Sequence, residues 1–178
     1  QNGHAETGPT RAGYMPVDMS TALNTAFSIA ASLHRKAKTG LGQRIDVAMM
    51  DTAIVMQASQ YSNYLNQGNL VGLRGNSSPT QQPTANVFAT SDSYIQITAL
   101  RQQQVEKLFE AIGETEKLTL EAFATPESRI KNGEIVGELV AAAIKTETTT
   151  YWLDKLAALG IPAAEIRGLP EVMEDPQF

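Results

Sequence analysis

The 178-residue chain contains no cysteine and only two histidines. Without cysteine it can form no disulfide, no thiolate metal site and no thiol nucleophile. His4 lies in a polar stretch and His34 lies in the basic run HRKAK, so we expect neither histidine to be catalytic. No group of histidines and carboxylates has the spacing of metal ligands, and we therefore expect no metal site.

Positive charge and long apolar runs are also scarce. The net charge is −5 and the pI is about 5.0, which argues against a nucleic-acid binder, because such a protein needs a basic face. The longest apolar runs, such as AFSIAASL at 26–33, are too short to cross a bilayer, and the start has no signal-peptide pattern. We expect a cytoplasmic protein that binds neither nucleic acid nor a membrane. A local cation or a helix N-terminus could still hold a phosphate-bearing ligand.

The chain has enough apolar sequence to fold. Apolar residues make up 42% and charged residues 19%, which is typical of a globular protein with one ordinary domain or two small ones. The first residue is not methionine, and the chain stops just after the turn-like EDPQF. We therefore expect it to be a portion of a longer protein.

The first third of the chain has the pattern of an α/β segment. Apolar residues at spacings of three and four predict a helix that starts at Asp18 and stops at Gly40. Residues 43–50 read as a buried strand, and Asp51 as the cap of a helix over about 52–66. A Gly-, Ser- and Pro-rich linker follows.

The remainder has the pattern of a small α+β module. Residues 86–90 and 94–98 flank a Ser-Asp-Ser turn and predict a β-hairpin. Three helices follow: one over about 101–112, one that begins after the cap Thr125-Pro126, and one near 149–159.

Motifs that bind phosphates or form hydrolase elbows do not occur. The chain lacks GxxxxGK[ST], a strand–GxGxxG–helix unit and GxSxG. TGLGQ, at 39–43, follows a helix and precedes the predicted strand. That order predicts a helix end and a tight turn.

Asp18 is the strongest candidate for chemistry, although its position has two interpretations. The simpler one is a helix N-cap, which is worth about 1 kcal/mol. The other is a nucleophile, because a helix N-terminus favours negative charge and an oriented carboxylate can attack an activated carbonyl. The small residues of 20–22 would leave room for a substrate. Asp46 could pair with Arg44 or a neighbouring cation, and the loop at 75–79 could be a lid or a plain linker.

Several stretches closely resemble the family III CoA-transferases, or CaiB/BaiF family. The strongest is GPTRAGYMPVDMSTALNTAFSIAASLHRKAKTGLGQRIDVAMMDTAI at 8–54, with its aspartate before a small-residue helix and its TGxGQxxDV run. NVFATSDSYIQITA, FATPESRIKN and YWLDKLAALGIPAAEIRGLPEVMEDPQ extend the resemblance over nearly the whole chain. The family contains acyl-CoA:carboxylate CoA-transferases and acyl-CoA racemases.

The resemblance implies a role for Asp18. It would attack an acyl-CoA thioester to form a mixed anhydride, and then an aspartyl-CoA thioester. In the racemase branch the same aspartate acts as an acid and base with an upstream histidine, which nothing in this chain matches. Gly75 and Asn76 would belong to the lid over the bound coenzyme A. The resemblance implies no permanently bound cofactor, with acyl-CoA and a carboxylic acid acceptor as substrates.

The resemblance also implies a domain plan. Residues 1–67 would be a helix–strand–helix part of a Rossmann-like large domain, followed by a linker and lid at 68–83. Residues 84–165 would form the small α+β domain, and 166–178 would return towards the large domain. Family members form interlocked homodimers. Three functions stay open: a CoA-transferase, a racemase, and an inactive module for dimerisation or binding.

Overall fold

A computed structural model describes residues 2–178, which cluster into two units, 2–75 and 76–178. Helices and short antiparallel sheets both occur, which confirms the mixed helix and sheet class. In the first unit the elements are β1 (Gly3–His4), β2 (Gly8–Pro9), α1 (Pro16–Thr39), α2 (Met49–Met56) and α3 (Ala58–Gln67). Strands β1 and β2 form a small antiparallel pair.

Helix α1 begins two residues earlier than the apolar pattern predicts. Pro16 is its first residue, because the fixed φ of proline suits that position and its missing N–H is not needed there. Asp18 is therefore the third helical residue, and the prediction that it is the N-cap is wrong. The predicted stop is confirmed: Gly40 adopts a left-handed φ of 72°, and its N–H donates to the Lys36 carbonyl at 2.8 Å.

The predicted strand at 43–50 does not form. Residues 41–48 lie outside any helix or strand, and α2 begins at Met49. Ala48 has an extended backbone, with φ −95° and ψ 135°. An extended segment becomes a strand only beside a partner, and none of the described residues pairs with this one.

The single helix predicted over about 52–66 is two helices, α2 and α3, separated at Gln57. The Gln57 N–H donates to the Ile54 carbonyl at 3.0 Å, while its side-chain amide donates to the Ala53 carbonyl at 3.2 Å. The Ala53 carbonyl is the acceptor that the Gln57 N–H would use to continue α2, and the side-chain amide of Gln57 occupies it instead. Asp51 lies in the first turn of α2, and the N-cap is Ala48, so the capping prediction for Asp51 is also wrong.

The second unit is built on a three-stranded antiparallel sheet. Its order is β3 (Ala85–Ala89), β4 (Tyr94–Thr98) and β5 (Ala163–Glu165), and Phe88 pairs with Ile95. This confirms the predicted hairpin. Strand β5 was not predicted, because three residues, Ala-Ala-Glu, carry no alternating pattern.

Helices supply most of the core on this sheet, from α4 (Gln102–Ala111), α5 (Glu121–Ala124), α7 (Gly133–Ile144) and α8 (Thr149–Ala158). The unit also contains α6 (Pro126–Lys131), α9 (Leu169–Met173) and a 3-10 helix at Thr115–Thr119. Thr125 caps α6 as predicted, with its hydroxyl accepting from the Ser128 N–H at 3.1 Å. The single helix predicted after Thr125-Pro126 is two helices, α6 and α7, separated at Asn132, whose side chain donates to the Ser128 carbonyl at 2.8 Å.

Candidate functional site

Asp18 lies in the first turn of α1 with its side chain open to solvent. Helical hydrogen bonding starts with the Met19 N–H, which donates to the Met15 carbonyl at 3.1 Å. The N–H groups of Val17 and Asp18 precede that bond, so they are free at the helix end. Among the described residues, no ion pair or side-chain hydrogen bond holds the Asp18 carboxylate.

A cleft of about 730 Å³ begins beside this turn. Its volume is within the range of small-molecule sites, which is roughly 300–1,000 Å³. The side chains and backbone around it are neutral, and α1 contributes the two residues that precede Asp18 in sequence. The lining residues are Asn2, Pro9, Thr10, Ala12, Tyr14, Pro16, Val17, Ala53, Met56 and Gln57.

Three of those lining residues come from α2 and the break after it. Ala53, Met56 and Gln57 were not predicted as site residues, because their place in the cleft wall depends on how α2 packs against α1. The sequence carried one usable signal, the proline at 16, which marks a helix start next to the aspartate. A second and smaller cleft of about 220 Å³ lies between α3 and the residues that follow it, with Tyr61 and Tyr64 in its wall.

Gly75 and Asn76, the predicted lid residues, do not line the cleft beside Asp18. Gly75 has a left-handed φ of 54°, and its N–H donates to the Gly3 carbonyl at 2.7 Å. A Cβ atom at this position would lie 2.5 Å from Nδ1 of His4, so the close approach requires glycine. Asn76 is exposed and begins the second unit.

The other acidic candidates and the histidines lie on exposed surface. Asp46 pairs with Arg44 as predicted, at 3.6 Å, but the two side chains are 83% and 91% exposed, so this pair adds little stability. Asp51 and His34 are exposed on α2 and α1. Within residues 2–178, no three histidine, aspartate or glutamate side chains are placed to hold a metal ion.

Shifted pKa values occur in the second unit, where the cause is structural. Hydrogen bonds from the Thr149 backbone and hydroxyl, then one from Thr90, hold the pKa of Asp92 below its ordinary value. Burial lowers the pKa of Arg129, whose guanidinium donates to the Phe123 carbonyl at 2.8 Å and to Gln102 at 2.9 Å. Both residues join elements of the small sheet-and-helix core.

The chain belongs to CoA-transferase family III. The family's sequence model matches residues 1–178, which confirms the resemblance over its full extent. Its relatives include the succinyl-CoA–D-citramalate CoA-transferase of Chloroflexus aurantiacus, which is 28% identical over 99% of this chain and 44% of its own length. The succinyl-CoA:mesaconate CoA-transferase of Haloarcula marismortui is 32% identical over 99% of this chain and 43% of its own.

A solved structure shares the fold. A CAIB/BAIF family protein from Brucella suis superposes with a TM-score of 0.81 and 31% identity, over 99% of this chain and 46% of its own. The chain thus spans less than half the length of the relatives it matches. None of the helices in the described residues combines the length and the apolar character needed to cross a membrane.

Proposed function

We propose that this chain carries the nucleophile of an acyl-CoA:carboxylate CoA-transferase, and that the nucleophile is Asp18. The observation that carries the proposal is a solvent-open carboxylate in the first turn of α1, directly after two residues that line a cleft. Family membership supports the reaction class. Two relatives, a succinyl-CoA–D-citramalate CoA-transferase and a succinyl-CoA:mesaconate CoA-transferase, support transfer between carboxylic acids.

In this proposal the Asp18 carboxylate attacks the carbonyl carbon of an acyl-CoA. The carbon–sulfur bond breaks, which gives a mixed anhydride and the thiolate of coenzyme A. The thiolate then attacks the Asp18 carbonyl, which releases the donor acid as a carboxylate and leaves an aspartyl-CoA thioester. The acceptor carboxylate repeats both steps in reverse, and each step exchanges one anion for another.

Two features near that carboxylate support the proposal. Free N–H groups and the helix dipole at the start of α1 favour negative charge there. The neutral cleft next to Pro16 and Val17 offers space for the thioester and the groups attached to it. We also propose that acyl-CoA enters as a substrate and that no cofactor stays bound between turnovers.

The test traps the covalent intermediate. The chain is incubated with succinyl-CoA and hydroxylamine, and peptide mass mapping locates any hydroxamate. We expect a hydroxamate at Asp18, because hydroxylamine attacks an activated carboxyl group. Exchange of an α-proton for deuterium in a branched acyl-CoA, with no hydroxamate, would point to racemisation instead.

Asp51 provides a matched control for this experiment. It is the third residue of α2, as Asp18 is of α1, and it is also exposed. Asp18→Asn should lower labelling by at least about a thousandfold, whereas Asp51→Asn should leave it unchanged. Equal labelling of wild type and Asp18→Asn would refute the assignment.

We propose Gly75 and Asn76 as part of the loop that contacts bound coenzyme A. The support is the resemblance of this loop to the family's lid, together with the left-handed backbone of Gly75. Opening of the loop would break the bond between Gly75 and Gly3. Asn76→Ala should raise the half-saturating concentration of succinyl-CoA and leave maximal labelling of Asp18 intact; an unchanged half-saturating concentration would remove Asn76 from the site.

We propose that the chain also forms a homodimer. Helix α1 exposes a row of large apolar side chains, of which Leu23 is 72% exposed, and contiguous apolar surface marks an interface. Phe27→Glu should weaken self-association by about tenfold or more in sedimentation equilibrium. Asn24→Glu adds the same charge to the same helix and should have a smaller effect. A monomeric wild-type chain would reject the dimer.

A further inference from the structure

The TGLGQ motif, at 39–43, has no part in the chemistry proposed for Asp18, yet the structure gives it a set of contacts. Gly40 ends α1, and the turn is then fixed by Thr39. The Thr39 hydroxyl donates to the Arg35 carbonyl at 2.9 Å and accepts from the Leu41 N–H at 3.2 Å. The chain therefore leaves the helix along a defined path.

The Gln43 side chain binds to α1 through both the oxygen and the nitrogen of its amide. Its oxygen accepts a hydrogen bond from Nη1 of Arg35. Its nitrogen donates to Oγ of Ser32 at 2.7 Å, and the Ser32 hydroxyl donates to the Ser28 carbonyl at 2.8 Å. One side chain thus connects the departing segment to successive turns of the helix.

The segment after Gln43 leads to the cleft. Helix α1 has 24 residues and is about 36 Å long at 1.5 Å per residue. The eight residues 41–48 can span at most about 26 Å, and the eight residues of α2 add about 12 Å. The return path can therefore be as long as α1 itself.

The contact between α1 and α2 shows that the chain turns back along α1. Helices α1 and α2 contact each other, and Thr52, in the middle of α2, is buried. The cleft is lined by Pro16 and Val17 at the start of α1 and, from the end of α2 and the residue after it, by Ala53, Met56 and Gln57. The position of these three residues depends on where the return segment begins.

We propose that Gln43 is a positioning residue for the cleft beside Asp18. Its two hydrogen bonds fix the start of the return segment against the C-terminal half of α1, and this fixes where α2 places its end of the cleft wall. The positioning of α2 stands on the observed contacts alone. Its consequence for acyl-CoA rests on the proposed function.

Hydrogen exchange on the full chain tests the positioning. Gln43→Ala removes both bonds, and the amides of 49–57 should then exchange about five- to tenfold faster, as expected for the loss of one or two hydrogen bonds. Arg44→Ala is the control, because it lies one residue away in an exposed ion pair and should leave those amides unchanged. Faster exchange confined to 41–47 after Gln43→Ala would overturn the proposal.

A second variant separates positioning from a general loss of folding. Gln43→Glu keeps an acceptor for Arg35 but has no donor for Ser32, so exchange at 49–57 should lie between the wild-type and Gln43→Ala rates. Amides of α4, in the second unit, should be unaffected in both variants. Equal exchange at 49–57 in wild type and both variants would also overturn the proposal.

Labelling of Asp18 supplies the functional measurement. Gln43→Ala should raise the half-saturating concentration of succinyl-CoA about fivefold and leave maximal labelling of Asp18 near the wild-type level. Asp18→Asn should abolish labelling without changing exchange at 49–57. If the wild-type chain is not labelled, the proposed function fails, and the exchange measurement still decides whether Gln43 positions α2.

Discussion

The two units of this chain bury their apolar residues to very different extents. In the second unit, fifteen buried hydrophobic residues of the described chain form one cluster that involves the sheet and helices α4, α5, α7 and α8. In the first unit, only Gly3 and Thr52 are buried among residues 2–75, and α1 has no buried residue. Both units contain regular helices.

The difference shows that an apolar helical pattern does not require a partner to be present in the same chain. Leu23, Phe27 and Leu33 follow the spacing of a buried helix face, yet all three are exposed. In the second unit the same spacing in α4 places Val105, Leu108 and Phe109 in the core. Stability from apolar burial therefore resides mainly in the second unit.

Truncation of one phenylalanine in each unit should give the largest difference in stability between the units. Phe109 is fully buried against Phe123, so Phe109→Ala should lower the free energy of unfolding of the second unit by about 3–5 kcal/mol. Phe27 is 74% exposed in the single chain, and Phe27→Ala should change the free energy of unfolding of the first unit by less than about 0.5 kcal/mol at protein concentrations at which the chain is monomeric. Urea denaturation measures both variants. Equal losses in the monomer would show that α1 is buried within a single chain.

A glycine pair tests whether the first unit has any tight local contact. Gly75→Ala should destabilise it by about 1–2 kcal/mol, because the new Cβ meets His4 and the left-handed φ is unfavourable for alanine. Gly72→Ala is the control, since its Cβ would have nothing within 4 Å. Thermal melts and hydrogen exchange at Gly3 and residue 75 report the change. If the two variants behave alike, the contact between Gly75 and His4 does not persist in solution.

The two units also differ in how well the sequence predicts their secondary structure. The hairpin, α4, α8 and the Thr125 cap could be predicted, because their patterns are completed by contacts within the second unit. The structure of residues 43–50 could not be predicted. Their apolar pattern indicates a buried strand, but none of the described residues pairs with this segment. Strand β5 was too short to leave a pattern.

Asp18 stays a prediction as a site residue. Its place before a small-residue helix selects it, but α1 begins at Pro16, because proline suits the first helical position, and so Asp18 lies inside the helix. Pro126 marks the start of α6 in the same way, and there the sequence predicts the boundary correctly. The sequence alone does not predict the other part of the cleft wall, Ala53, Met56 and Gln57. These residues line the cleft because the chain turns back along α1.

Helix capping offers a finer comparison between the units. In the second unit the Thr125 and Thr148 side chains cap α6 and α8, whereas none of the helices α1 to α3 has a side-chain cap bond. Thr125→Ala should cost about 1 kcal/mol. Met15→Ser should add a cap to α1 and raise the stability of that helix by a few tenths to about 1 kcal/mol. Circular dichroism during denaturation measures both, and a loss of helix in Met15→Ser would contradict the assigned N-cap.

The smallest expected effect concerns pH, and it acts on the second unit alone. Asp92 accepts hydrogen bonds from the Thr149 N–H and hydroxyl, both at 2.9 Å, and so joins the β3–β4 turn to the start of α8. Because these bonds lower the pKa of Asp92 in the folded state, its contribution is complete above the unfolded value of about 3.9 and is lost as the pH falls through the folded pKa. Asp92→Asn cannot titrate, so the stability difference from wild type should be constant above about pH 5 and shrink below pH 4. Denaturant midpoints of both proteins between pH 3 and 7 measure this difference; a gap that stays constant to pH 3 would mean that the carboxylate charge does not join the turn to α8.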